Sequence, residues 1–250
     1  MTRNSSNGTM LEKAVVLLDV FIPSGGPFRL TELAARAGFS KSTTSRLVGS
    51  LVELGLLERG ESGYHLGGRL FELGSLVPRR RDLREAALPF LQDLFEATRA
   101  TVHLGVREGH EVVYVERIHG HDSLALPSRI GGTLPLTCTG VGKALLAFSP
   151  PELADEVLAT RLPRLTRYSV TDPARLRTAL EQAQVAGLAY EEQEAAEGVS
   201  CIAAPVFGAG GKAVAALSVA VPRAGFHPAR LAPAVRTAAL GLSRTLRGGM

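Results

Sequence analysis

A run of hydroxyls and cations, Lys41, Ser42, Thr43, Thr44 and Arg46, opens a helical pattern. Hydroxyls and lysine hold phosphate oxygens, arginine forks onto a guanine edge, and a helix N-terminus attracts a phosphate. That chemistry reads duplex DNA, although many solvated helices carry such a face. A second cluster, Thr139-Gly140-Val141-Gly142, precedes a helical pattern over residues 143–148. Glycines there let a ligand approach backbone N–H groups at a helix start, which suits an anion. An ordinary tight turn would read the same way. Other chemistries find less support. Cys201 as a nucleophile, helped by Glu191 or His103, would make an enzyme, but nothing in the spacing marks an activated pair. There is no GxSxG or Walker loop. Gly208-Ala209-Gly210-Gly211 is too short, and lacks the following helix, for a dinucleotide fingerprint. His103, His110, His119, His121 and His227 form no metal signature and read as surface residues, so neither metal nor cofactor is expected. Cys138 and Cys201 read as small buried hydrophobes, because sequence alone does not show that their geometry suits a disulfide.

The elements around the first cluster decide its reading. Residues 11–22 form a helical pattern with Leu11, Val15, Leu18 and Ile22 on one stripe, stopped by Pro23, Gly25 and Gly26. Thr31 is an N-cap candidate for the next helix, which carries Leu33, Ala34 and Ala37 and ends at Gly38. Ser40 caps a third helix over residues 41–54, with Leu47, Leu51 and Leu54 inward and the hydroxyl–cation face outward. Two short extended runs then flank a turn at residues 60–63, and Arg59 stands on the first. Helix, short helix, turn, helix and hairpin is the order of a winged helix-turn-helix.

The rest alternates differently. Residues 69–99 read as a helical linker broken at Pro78 and Pro89. Beyond it, β-branched runs at 102–106 and 112–118, helices at 142–148, 153–158 and 174–186, strands at 189–193, 200–207 and 213–221, and a last helix from 228 describe a sheet flanked by helices. The expected class is α+β. Residues 1–9 form a polar leader, 10–68 the winged domain, 69–99 the linker and 100–250 the sheet domain.

Composition sets the outer bounds. The 250 residues are 45% hydrophobic and 21% charged, which excludes a disordered chain. A net charge of +4 favours polyanions only mildly. No apolar run is long enough to span a bilayer, and two cysteines without a secretory signal point to the cytoplasm. A purely architectural DNA protein would not need so large a second domain.

Residues 11–67 resemble the N-terminal domain of the IclR family of bacterial regulators, in LEKAVVLLDVF, LTELAARAGFSKSTTSRLVGSLVELGLLER and GYHLG. LPLTCTGVGKALLAF and GLAYEEQEAAEGVSCIAAPVF carry the resemblance through the second half. It implies a winged DNA-binding domain, a helical linker and a GAF-like effector-binding domain. It further implies a regulator whose grip on a palindromic operator is modulated by a small molecule, in a family that holds both repressors and activators and with repression the expectation here, and homodimers, often paired into tetramers. DNA-binding residues are then Lys41, Ser42, Thr43, Thr44, Arg46 and Arg59. The effector site falls on Gly140, Val141, Glu191, Cys201 and Ser218. Relatives that bind small oxoacids place a second hydroxyl two residues after Ser218; here that position is Ala220, on the same face of the strand. The wall is therefore expected to lack one polar contact, which suits a larger or aromatic acid better than a glyoxylate-sized one.

Overall fold

The computed structural model describes residues 8–119 and 126–248. His121 lies outside them. The chain divides into two compact units at Arg81/Asp82.

The first unit carries α1 (Met10–Asp19), α2 (Leu30–Ala37), α3 (Lys41–Glu53), the hairpin β1 (Leu57–Arg59) and β2 (Tyr64–Leu66), and α4 (Gly68–Ser75). α1 opens with a reciprocal cap: Thr9 Oγ1 accepts from the Glu12 N–H, while Glu12 accepts from the Thr9 N–H. The stripe that α1 buries differs from the one expected. Leu17 and Phe21 fill the core, whereas Leu11 is 76% exposed and Val15 and Ile22 also face outward. The segment is apolar on two faces, and the Phe21–Phe28 edge contact at 5.2 Å selects the face that turns inward.

α2 starts one residue before Thr31. Its first turn is closed by Glu32, which accepts from the Arg29 N–H at 2.7 Å. Thr31 therefore lies inside the helix and does not cap it. Gly38 ends α2 with φ +70°, a left-handed conformation costly for other residues, and the chain turns directly into α3. Ser40 caps α3 as expected, accepting from the Thr43 N–H at 3.2 Å. Leu33, Leu47, Val48, Leu51 and Leu57 close the core between α2, α3 and the wing. Leu54 lies outside that core and is 51% exposed.

α5 (Pro78–Thr98) begins after a break at Leu76 and Val77. The break expected at Pro78 is present; the one expected at Pro89 is not, because the helix continues through that residue.

The second unit is built on one six-stranded antiparallel sheet. Its strands are β3 (Thr101–Glu108), β4 (Glu111–Ile118), β5 (Thr133–Pro135), β6 (Ala189–Glu192), β7 (Val199–Phe207) and β8 (Ala213–Pro222), in the order β5-β4-β3-β8-β7-β6. The short β5 was not legible in the sequence. The helices are α6 (Gly140–Ala147), α7 (Pro151–Leu158), α8 (Pro173–Ala186) and α9 (Pro228–Gly248). Leu91 and Leu94 of α5 and Val235 and Leu242 of α9 pack with Leu104, Ile202 and Leu217 on one face of the sheet. α6, α7 and α8 pack with Val112, Ala203 and Ala216 on the other. Both faces of the central strands are thus covered, and their buried runs lose the apolar–polar alternation of a half-exposed strand. No helix among the described residues is long and apolar enough to cross a membrane.

Candidate functional site

Of the α3 residues expected to meet DNA, Lys41, Ser42 and Arg46 are exposed and Thr43 is half-buried. Ser40 Oγ donates to Thr43 Oγ1 at 2.9 Å, which ties that hydroxyl to the cap. Thr44 does not belong to this face. It is fully buried and its hydroxyl donates back to the Ser40 carbonyl at 3.0 Å, so it packs the helix against the core instead of meeting DNA. The helical period explains the correction: Thr44, Leu47, Val48 and Leu51 lie three or four residues apart on one stripe. Arg59 is exposed on β1.

In the second unit all five residues expected at a small-molecule site, Gly140, Val141, Glu191, Cys201 and Ser218, line one cavity. His103, Tyr114, Ser128 and Thr139 line it with them. The cavity opens where the N-terminus of α6 meets the sheet. Thr139 caps α6, accepting from the Gly142 N–H at 3.0 Å. The N–H groups of Gly140 and Val141, one and two residues into the helix, have no acceptor within it and stand at its positive end. Packing requires glycine at position 142, where a Cβ would strike the Leu136 carbonyl oxygen at 2.2 Å, while a Cβ on Gly140 would make a tight 3.3 Å contact with Cys201 Cβ.

Glu191 is buried at the end of β6, where its Oε1 accepts from the N–H groups of Glu194 and Ala195, the second at 3.2 Å. Burial outweighs these bonds and pushes its carboxyl up to about 7. Burial and the neighbouring Glu191 push the Cys201 thiol well above its ordinary value. A nucleophilic cysteine needs the opposite environment. Cys138 is likewise raised by burial, and its thiol donates to the Pro163 carbonyl at 3.4 Å. Both cysteines are free thiols. Behind the cavity Lys143 of α6 donates to Glu194 in a buried ion pair that ties the helix to the turn after β6.

His103 was expected at the surface; it is 3% exposed, on the cavity wall. Its Nε2 lies 2.8 Å from Ser128 Oγ and its Nδ1 3.4 Å from Ser218 Oγ. Burial first, then Arg117 and His119, push the imidazole down to about 3, so it is neutral near pH 7. The available signal was its position in β3, between Val102 and Leu104 in a strand buried on both faces. Ala220 sits in register with Cys201 and is fully buried. Beside Ser218, on the adjacent strand, the imidazole of His103 also lines the cavity. His119 and His227 are exposed, as expected, whereas His110 is half-buried with its Nε2 3.0 Å from Glu156 Oε1. Among the described residues no group of three His, Cys, Asp or Glu side chains could hold a metal ion.

Residues 10–61 match the IclR helix-turn-helix domain, and residues 76–244 match the C-terminal domain described as bacterial transcriptional regulator IclR. The chain belongs to the IclR family. Family members to which it is similar include the HTH-type transcriptional regulator BhcR of Paracoccus denitrificans, 35% identical over 96% of this chain and 86% of that one. The regulator XynR of Escherichia coli is 33% identical over 94% of this chain and 96% of its own. Among solved structures, an IclR homolog from Microbacterium hydrocarbonoxydans complexed with 4-hydroxybenzoate superposes with a TM-score of 0.87 at 33% identity, covering 96% of this chain and all of that one. The Thermotoga maritima IclR gives 0.79 at 31% identity, over 94% and 98%. The exposed face of α3 is thus the second helix of an IclR helix-turn-helix, and the cavity lies in an IclR C-terminal domain. The relatives are transcriptional regulators, and no enzyme family is indicated.

Proposed function

We propose that this IclR-family regulator is a cytoplasmic repressor that binds a palindromic operator as a homodimer, paired into a tetramer, and changes its grip when the cavity takes a small organic acid. The observation that carries the effector reading is the meeting of Gly140, Val141, Glu191, Cys201 and Ser218 around one cavity at the positive end of α6. The 4-hydroxybenzoate carried by the Microbacterium homolog supports an organic acid as the effector, and with a cavity volume of about 30 Å³ the walls must part to admit one of that size. Repressors among the relatives, such as the transcriptional repressor IclR of Escherichia coli at 31% identity, support the sign of regulation.

In this reading Lys41, Ser42 and Thr43 hold phosphates at the start of α3 while Arg46 reaches a base edge. Arg59 on the wing meets the neighbouring backbone. Two such units read half-sites one helical turn, or a multiple, apart. The acid's carboxylate sits against the N–H groups of Gly140 and Val141.

A gel shift on the protein's own upstream DNA, at stated salt and with excess nonspecific competitor, tests the proposal. A specific shift that candidate acids alter supports both halves. A specific shift that no acid alters removes the effector half. Absence of any specific site, there or in genome-wide selection, removes the operator half.

A further inference from the structure

We propose that Arg117, Glu116 and Arg84 form a strap between the cavity wall at Ser128 and the linker helix α5, through which occupation of the cavity loosens the sheet's hold on that helix. The inference rests on the reading of the cavity as the effector site and adds to it the route by which the site acts.

At about 30 Å³ the cavity admits an organic acid only if part of its wall moves. Most of that wall is strand or the start of α6; residues 126–128 and 195–196 are its irregular parts. The second stretch is tied down by the Ala195 N–H, which donates to Glu191. The first is held by Arg117 of β4, whose Nη1 donates to the Ser128 carbonyl. Next to Arg117 in the strand stands Glu116, which is buried, and its carboxylate serves two partners. Oε1 accepts from the Arg117 N–H at 2.9 Å, and Oε2 accepts from Arg84 Nε of α5 at 2.6 Å. One carboxylate thus joins the strand that holds the wall to the helix that leads from the boundary between the two units. That helix is gripped unevenly. Ala87, Leu91 and Leu94 are buried in the sheet core, whereas Leu83 and Ala86, beside Arg84, are only partly so. Pro89 has no N–H, so the helix bond to the carbonyl of residue 85 is missing just beyond Arg84. The turn that carries Arg84 therefore docks through a charge-assisted bond more than through apolar burial, and Arg84, half in water already, has two states: on Glu116 or solvated. Coupling between sites requires such an element, biased from both ends. An acid that pushes residues 126–128 outward takes Arg117 and Glu116 with them and weakens the hold on Arg84. By reciprocity, releasing Arg84 must loosen residues 126–128.

Hydrogen exchange on the full-length protein, read by mass spectrometry, tests the strap at the end opposite to the change. Arg84→Met is expected to quicken exchange of residues 126–132 by about fivefold, the lower end of coupling between sites, and to leave residues 173–186 of α8 as they were. A residue that merely steadies its own helix would quicken residues 82–88 alone. Arg84→Lys keeps a cation for Glu116 and is expected to exchange as the wild type does. Thermal melts check that each variant folds, and Arg84→Gln replaces Arg84→Met if the latter does not. Unchanged exchange at residues 126–132 overturns the strap and leaves the cavity reading intact. So does equal quickening of α8, which marks general loosening. These comparisons need no ligand. 4-Hydroxybenzoate in excess is then expected to slow exchange at residues 140–143, where α6 begins, and to quicken residues 82–88 in the wild type but not in Arg84→Met. Slowing at residues 140–143 with no change at residues 82–88 overturns the strap. No slowing at residues 140–143 counts against the cavity reading for this acid, and the strap is then decided by the ligand-free comparison.

Discussion

At the scale of single residues, α3 and the cavity make opposite electrostatic demands. Arg46 is exposed, so its replacement touches no core residue. Arg46→Ala is expected to weaken operator binding by about 1–3 kcal/mol, the value of one base contact. It should leave acid binding within about twofold of wild type, because the two functions lie on separate units. Gel shift and calorimetry on the same preparation check both parts, and equal operator affinity removes Arg46 from the base-reading set. Glu191 works by charge. With its carboxyl pushed up to about 7, it is ionised above that pH, where it repels an anionic ligand. Acid affinity is expected to fall as pH rises from 6.5 to 8.5, by up to about tenfold per unit above 7, and Glu191→Gln should flatten that profile. The same groups act on stability with opposite signs. A carboxyl raised from 4.5 contributes stability that is present below 4.5 and lost as pH rises through about 7. An imidazole lowered from 6.5 contributes stability present above 6.5 and lost as pH falls toward about 3. His103→Phe is therefore expected to lose part of the acid destabilisation of the wild type between pH 6.5 and 4, read as a smaller drop in melting temperature.

At the scale of elements, what was legible followed what chemistry each element shows locally. Caps, glycine stops and the turn into α3 are local, and Ser40 and Gly38 stand where the sequence put them. α1 was misread because two apolar stripes compete along it and only tertiary packing chooses between them. Thr44 was misassigned because hydroxyls are treated as outward-facing, whereas a threonine can satisfy its own hydroxyl on the preceding turn. His103 was misplaced because a strand covered on both faces gives no alternation to judge it by. α6 depends on one further element-scale bond, the buried Lys143–Glu194 pair. Lys143→Met leaves Glu194 charged and buried, and is expected to cost about 3–5 kcal/mol in urea unfolding. A double replacement, Lys143→Met with Glu194→Leu, should recover much of that loss, since breaking a buried pair costs more than removing it whole. A single variant as stable as wild type would show that the pair contributes nothing to holding α6.

At the scale of the whole molecule, the division into a DNA-reading unit and a sheet unit was legible from the order of elements. The composition of the cavity was only partly so, because the strand order β5-β4-β3-β8-β7-β6 sets residues more than a hundred positions apart side by side, as with His103 and Ser218. Regulation requires the two units to be linked in free energy. A ligand shifts operator binding only as far as it prefers one arrangement of the protein to the other. If the acid weakens operator binding by some factor, the operator must weaken acid binding by the same factor, since both routes reach the same ternary complex. For an acid that binds, the expected factor lies in the range of about 5–150. Operator affinity measured with and without saturating acid supplies one value. Calorimetric titration of the acid into free protein and into the protein–operator complex supplies the other. Two equal factors well above one establish the coupling. A factor of one in both, with the acid still bound, would mean that the cavity takes a ligand without regulating DNA.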